Sequence, residues 1–350
     1  MQNTINFEQK IKVGLLGATG YTGIELLKLL EHHPRFEVAF VTSEKNAGQL
    51  LGDFFPTLKG KPMGSLRFIP AAQAIEVEVA GVFSCLPHQT AAENLLPFIQ
   101  KGRVKVVDLS ADFRMRDPEI YQKYYHTHPN PELLSQAIYG LVEWCEKDIS
   151  SYSIVGNPGC YPTSILLPLL PLVQADMIET SGIIADSKSG VSGAGKSPSE
   201  GTHYVEVNEN FSAYKVADEH RHLSEINEQL SLVAQKDVNI LFTPHLLPMT
   251  RGILSTIYAR IKNGTTYESM LALLQKTYAN QDCVVVLDKE FPKTAWVANT
   301  NRCMFGFKVT ADGQNVVIVS VIDNLIKGAS GQGLQNMNII LGLDKNLGVN

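Results

Sequence analysis

Ile11-Lys12-Val13-Gly14-Leu15-Leu16-Gly17-Ala18-Thr19-Gly20-Tyr21-Thr22-Gly23-Ile24-Glu25-Leu26-Leu27-Lys28-Leu29-Leu30 decides the fold. The first six residues are branched and apolar enough for a short buried strand. Ile24 to Leu30 has helical spacing, and the glycines between follow a GxxGxxG pattern. Strand, glycine turn and helix together describe a mononucleotide-binding unit. Gly17 makes the tight turn, Gly20 lets a pyrophosphate approach the backbone, and Gly23 lets the helix pack on the strand. Gly17, Thr19, Gly20, Tyr21, Thr22 and Gly23 are therefore candidate cofactor ligands. The chain is expected to be α/β, with a Rossmann-type dinucleotide-binding domain at its start. A glycine-rich loop in another α/β protein is the plainer alternative.

Outward from that unit, Phe36 to Val41 reads as the second strand. An NAD site usually ends this strand with an acid that holds the ribose 2′-hydroxyl. Here the end is Thr42-Ser43-Glu44-Lys45-Asn46. Hydroxyls and a lysine suit a 2′-phosphate, so Ser43 and Lys45 favour NADP. Gly81 to His88 is a further strand and turn, with Cys85 packing near the cofactor, and Thr90 to Gln100 is a helix. Val104 to Asp108 opens into Leu109-Ser110-Ala111-Asp112-Phe113-Arg114. Ligands gather beyond the carboxyl ends of such strands, so Arg114 is placed to meet an anion, or is a surface arginine.

Gly156-Asn157-Pro158-Gly159-Cys160-Tyr161-Pro162-Thr163 follows the apolar run Tyr152 to Val155 and precedes a helix. A cysteine is thus delivered on a tight turn at a helix N-terminus. Pro162 suits the first helical position. The helix dipole is expected to lower the thiol pKa, making Cys160 a nucleophile. A buried structural thiol is the alternative. Pro168 and Pro171 predict a short or kinked helix. Gly182 to Asp186 is a strand leading into a Ser/Gly loop over 187–196, which lines a phosphate or nicotinamide ribose or serves as a linker. His222 and Glu225 are neighbours on one helical face, where a carboxylate can orient an imidazole for acid/base work. A solvated charged face is the competing reading. Arg251, before the strand Ile253 to Arg260, is a second candidate anion ligand. Val284 to Leu287 and Val316 to Ile322 add strands, and a helix over 333–343 is expected to return to the first domain.

The whole chain has 350 residues, 44% of them hydrophobic, which suits two domains. The net charge of −5 and the lack of a basic stripe argue against nucleic acid. No breaker-free apolar run reaches about 18 residues, so no membrane span is expected. The polar start carries no leader pattern. Five scattered cysteines include no CxxC, so neither a disulfide framework nor a zinc site is expected, and a cytoplasmic setting follows.

With these pieces in place, the sequence closely resembles the N-acetyl-gamma-glutamyl-phosphate reductase family of arginine biosynthesis. The motifs are GATGYTGIELL at 17–27, LSADFR at 109–114, GNPGCYPTS at 156–164, DSKSGVSGAGK at 186–196, HRHLSEI at 220–226, PHLLPMTRGI at 244–253 and DNLIKGASGQGLQNMN at 323–338. The resemblance implies an NADP-binding domain (1–157 with 327–350) and an α+β catalytic and oligomerisation domain with a mixed sheet (158–326). It also implies NADPH as cofactor, a homodimer or homotetramer, and a small-molecule substrate. The family's nucleophile falls on Cys160. Ser189, Gly190, Gly193 and Asn324 fall on the nicotinamide side, Arg114 on the departing phosphate, and Arg251, His220 and Asn157 on the substrate. His222, oriented by Glu225, is the implied proton carrier, although His220 stands in the same motif. Lys196 stands where arginine is as common. Relatives acting on aspartyl or acylated aminoadipyl phosphate, or a non-enzymatic NADPH-binding regulator, are the rival readings.

Overall fold

The computed structural model describes residues 10–349; the polar start read above and the last residue lie outside the described residues. Strands β1 (Ile11–Leu16), β2 (Phe36–Thr42), β3 (Phe68–Ile69), β4 (Gly81–Ser84), β5 (Lys105–Asp108), β6 (Ala137–Tyr139) and β7 (Ile154–Gly156) form one sheet. Its order is β3-β2-β1-β4-β5-β7-β6 and every pairing is parallel. The order reverses direction between β1 and β4, and the glycine turn after β1 opens at that switch point, where ligands of such sheets bind. Helix α1 (Tyr21–His32) follows that turn, then α2 (Thr90–Gln100), α3 (Pro118–Tyr124) and α4 (Val142–Ile149).

Helix α5 (Cys160–Gln174) leads from β7 into a second sheet. Its strands are β8 (Ile184–Gly190), β9 (Ser212–Ala213), β10 (Leu241–Leu247), β11 (Ile253–Arg260), β12 (Val284–Val286), β13 (Cys303–Val309) and β14 (Asn315–Ile322). Their order is β12-β13-β14-β11-β8-β10-β9, with mixed parallel and antiparallel pairings. Helices α5, α6 (His222–Ala234) and α7 (Tyr267–Thr277) pack with one face of this sheet over an apolar core that includes Ile165, Leu166, Ile226, Ile257 and Ile318. After β14 the chain makes one π-helical turn, Ile326–Ser330, and continues as α8 (Gly331–Ile340), which packs on β5, α4 and α1 of the first unit. The structure is thus the expected α/β architecture with a second, mixed sheet.

Four local expectations change. Pro162 is the third helical residue, because the helix starts at Cys160 itself. The helix runs 15 residues through Pro168 and Pro171 rather than ending early. Pro171 has no N–H for the Leu167 carbonyl, and the buried Tyr278 hydroxyl donates to that carbonyl instead. Ser187 to Gly190 belong to β8 rather than to a loop, their alternate side chains buried beneath the sheet. Strand β10 escapes the sequence reading because Pro244 interrupts its pattern and Pro248 follows its last residue.

Candidate active site

The first half of the site is the turn 17–23. Gly17 has φ +77°, and a Cβ there would stand 2.9 Å from the Cys85 carbonyl oxygen. Its N–H donates to the Thr42 hydroxyl at 3.1 Å. A Cβ on Gly23 would stand 2.8 Å from the Ala18 backbone, so the helix packs directly on the turn. A Cβ on Gly20 would meet nothing within 4 Å. Gly20 caps α1 without any side-chain hydrogen bond. Open space before uncapped helix amides suits a pyrophosphate, so these residues fit a dinucleotide. At the end of β2, the Ser43 hydroxyl accepts from Asn46, and Glu44 accepts the Ala71 N–H at 2.8 Å. The one acid at this strand end is therefore already engaged, and Lys45 is left exposed beside it.

The Ser/Gly segment reaches this turn from the second sheet. Lys196 donates to the Thr19 carbonyl at 3.1 Å. Asn324 accepts the Gly252 N–H at 2.7 Å and donates to Ser192. A Cβ on Gly193 would touch the Ser189 hydroxyl, and one on Gly190 the Arg251 backbone. Ser189, Gly190, Gly193 and Asn324 are thus gathered into one knot beside the glycine turn. Ser189 and Asn324 are themselves buried, and their side chains hold the knot together.

The second half is the Cys160 turn, organised by a carboxylate from α6. Glu225 is fully buried. It accepts the Gly159 N–H at 3.0 Å, the Tyr139 hydroxyl at 3.1 Å and an Arg114 N–H at 2.9 Å. His222 Nε2 stands 3.9 Å from Glu225. A Cβ on Gly159 would lie 2.6 Å from that same nitrogen, so only glycine lets the imidazole rest against the turn. His222 Nδ1 is buried without a hydrogen-bond partner. Burial holds the His222 pKa well below its ordinary value, helped by the positive charges of Arg114 and Arg221 and by the neighbouring His88. The imidazole is a neutral base.

The thiol corrects an expectation. Burial pushes the Cys160 pKa up to about 11. The Tyr161 N–H and the Arg114 charge pull it down, and the Glu225 carboxylate opposes them. Cys160 therefore rests as a thiol and needs a base, rather than being a thiolate made by the helix dipole.

Four expected substrate ligands turn inward. Arg114 is almost fully buried; it donates to the Asn157 and Leu109 carbonyls at 2.7 and 2.8 Å as well as to Glu225. Each of its three guanidinium nitrogens thus has a partner within the protein. Asn157 is fully buried between Arg114, Ala329 and Asn336. Arg251 pairs with Glu25 of α1 at 2.7 Å and with Asp323 at 3.2 Å, so it ties the nucleotide helix to the second sheet. His220 packs edge-on against Tyr161, Tyr214, His222 and Phe242. Burial and the neighbouring His222 bring its pKa down to about 2.

The sequence reading missed other charges here. Arg221 lies 5.2 Å over the Tyr125 ring and makes no ion pair with a described carboxylate. Lys215 is close enough that burial and Arg221 lower its pKa. His88, brought down to about 3 by burial, then by Arg114 and Arg221, accepts the Ala111 N–H at 3.0 Å. Arg221 stood in plain sight between the two histidines of its motif; Lys215 sits in a loop with no periodic signal.

Residues 12–152 match the semialdehyde dehydrogenase NAD binding domain, and residues 160–324 match the semialdehyde dehydrogenase dimerisation domain. The chain is 47% identical to the N-acetyl-gamma-glutamyl-phosphate reductase of Desulforapulum autotrophicum, over 97% of this chain and 98% of that one. It is 45% identical to the protein of the same name from Geobacter sulfurreducens, again over 97% and 98%. Among solved structures, it is similar to aspartate semialdehyde dehydrogenase II from Vibrio cholerae. The TM-score is 0.72 at 16% identity, covering 95% of this chain and 99% of that one. The enzyme with NADP from Candida albicans has TM-score 0.67 at 20% identity, covering 97% and 100%.

Proposed function

The chain belongs to the N-acetyl-gamma-glutamyl-phosphate reductase family, and from that premise we propose that it reduces N-acetyl-L-glutamyl 5-phosphate to N-acetyl-L-glutamate 5-semialdehyde and phosphate, using NADPH. The observation that carries the mechanism is Glu225, which joins the Gly159 N–H, Arg114 and His222 at the base of the Cys160 turn. His222 Nδ1 takes the thiol proton. The thiolate attacks the acyl carbon, the carbon–oxygen bond to phosphate breaks, and the proton passes from His222 to the departing phosphate. A thioester remains on Cys160. When bound, the reduced nicotinamide supplies the hydride for the thioester carbon. The carbon–sulfur bond then breaks as the aldehyde forms, and a solvent proton restores the thiol through His222. Covalent catalysis divides one difficult reduction into two easier steps.

Arg114 acts as the anchor of Glu225 rather than as the phosphate ligand. The phosphate is assigned to Arg221 and Lys215, whose charges reach His222 and are not consumed by internal carbonyls. His222, with its free Nδ1, is the proton carrier in preference to His220, which is packed among rings. Gly17 to Gly23 would hold the pyrophosphate. Ser43 and Lys45 would hold a 2′-phosphate, because Glu44 is engaged with Ala71. The division into 1–157 with 327–350 and 158–326 is supported by α8 packing on the first sheet.

The outer face of the second sheet supports a homodimer. Ile184, Leu241 and Tyr258 are 37%, 51% and 40% exposed, although β8, β10 and β11 are interior strands of that sheet. These three side chains are neighbours in register and form an exposed apolar patch, which a second copy would cover with the same residues. Among the described residues no helix is long and apolar enough to cross a membrane. The five free cysteines suit a reducing cytoplasm.

The reverse reaction tests the function. The protein is mixed with N-acetyl-glutamate 5-semialdehyde, phosphate and NADP, with aspartate semialdehyde and NAD as parallel arms. Phosphate-dependent NADPH formation from the acetylated aldehyde is expected. Preference for aspartate semialdehyde moves the substrate assignment to the sister enzyme, and silence with every aldehyde overturns the reading.

A further inference from the structure

Behind the nucleophile lies a buried ion pair that the mechanism above does not use. Lys327 and Glu143 are both fully inaccessible, their charged atoms 2.6 Å apart. Lys327 also donates to Gln335 at 2.9 Å. A pair so buried contributes little stability over an apolar pair of the same size, while it strongly penalises any arrangement that separates its members. Its place in the chain is the π-helical turn Ile326–Ser330. The turn is closed by i to i−5 bonds, Gly328 N–H to the Asp323 carbonyl at 2.9 Å and Ser330 N–H to the Leu325 carbonyl at 3.1 Å. Single π turns cost helix regularity and recur at functional sites.

The residue after Lys327 touches the nucleophile. A Cβ on Gly328 would lie 2.6 Å from Cys160 Cβ and 3.1 Å from its Cα. The next residue, Ala329, accepts from Asn157 at 3.2 Å, and Asn157 in turn accepts from Arg114. Asp323 fixes the entry of the turn by accepting the Leu325 N–H at 2.9 Å and by pairing with Arg251. The turn packs between α1, which opens at the cofactor turn, and α5, which opens at Cys160.

We propose that Lys327 is a positioning residue: paired with Glu143, it clamps the π turn so that Gly328 backs the Cys160 side chain and fixes where the sulfur stands. The proposal rests on the reading of Cys160 as the nucleophile. No charge of Lys327 acts on the substrate; the effect passes through the backbone of Gly328.

Two variants test it. Lys327→Met combined with Glu143→Leu removes both charges together, so neither is left buried alone. Gly328→Ala keeps the pair and intrudes on Cys160 directly. The readouts are the pH dependence of iodoacetamide alkylation mapped to Cys160, kcat and KM separately, NADPH titration, and the unfolding midpoint. Both variants are expected to bind NADPH as the parent does and to keep KM within about three-fold, while kcat falls about ten-fold or more and the alkylation rate changes about five-fold, as a small misplacement of a reacting atom requires. A folded double variant with parental kcat and alkylation profile overturns the proposal. Should the double variant not fold, Gly328→Ala decides alone, and parental kcat in that protein overturns it equally. Alkylation reports on the thiol whatever the substrate. A parent protein that alkylates at Cys160 but reduces no acyl phosphate therefore refutes the functional reading and leaves this test intact.

Discussion

The turns before α1 and α5 are built alike and used differently. Each carries the chain from the end of a parallel strand through glycines into a helix N-terminus. Before α1, Gly20 leaves the helix amides uncapped and the space before them open. Before α5, the protein has filled the corresponding place, because the Glu225 carboxylate accepts the Gly159 N–H. A helix N-terminus attracts one anion well. At α1 that anion is reserved for a ligand. At α5 it is an internal carboxylate, whose charge opposes a thiolate on Cys160. Burial, with Glu225 adding to it against the pull of the Tyr161 N–H and Arg114, leaves Cys160, first residue of its helix, with its pKa pushed up to about 11.

The sharpest way to break the comparison is to remove the sulfur. Cys160→Ser should lower turnover by at least about 1,000-fold, since a hydroxyl is a far weaker nucleophile and a neutral histidine is its only base. NADPH binding at the α1 turn should persist in a titration, and its loss would show that the two turns are one structural unit. Next in size is Glu225→Gln. Removing that charge should drop turnover about 100-fold by disorienting His222, and yet shift Cys160 alkylation to lower pH. In the parent, the alkylation rate should climb about ten-fold per pH unit from 7 to 10 without a plateau, as a thiol titrating near 11 must. A parental plateau near pH 8 would mean that burial and Glu225 together do not hold Cys160 as a thiol.

What was legible in the sequence follows the range of the interactions. Strand β1 reads from Ile11 to Leu16 with its bounds intact, because branched residues and glycine punctuation act locally. Cys160, His222 and Glu225 stand out in the sequence because turn chemistry and i, i+3 spacing are local too, and the structure brings them to one turn. That Arg114 is tied to a buried carboxylate could not be read, because its partner Glu225 lies 111 residues away. The Arg251 pairing was hidden for the same reason: Glu25 is 226 residues distant, and no local pattern announces the pair. The π turn at Ile326–Ser330 has no counterpart in the sequence, which shows a helical pattern only from 333. Asp323, Glu143 and Cys160 hold it from three separate parts of the chain. Charges advertise chemistry in a sequence, but whether a charge is free or spent is decided by residues far from it.

The smallest effects should separate two glycines three residues apart on the α1 turn. Gly20 and Gly23 look alike in the sequence, and the structure gives them different jobs. Gly20 has φ −77°, acceptable to any residue, and nothing lies within 4 Å of a Cβ there. Gly20→Val should therefore leave the unfolding midpoint within about 2 °C of the parent, a change below about 1 kcal/mol, while weakening NADPH about ten-fold or more by filling the approach to the helix amides. Gly23→Ala presses a methyl group against the Ala18 backbone at 2.8 Å. Overpacking of that kind costs about 1–3 kcal/mol, so the midpoint should fall by several degrees with any loss of affinity secondary. Calorimetry and cofactor titration on the same two proteins check the pair. Should Gly20→Val bind NADPH normally, the pyrophosphate does not lie over the open face of α1. The contrast between an N-terminus held open for a ligand and one closed by Glu225 would then have to be drawn elsewhere in the molecule.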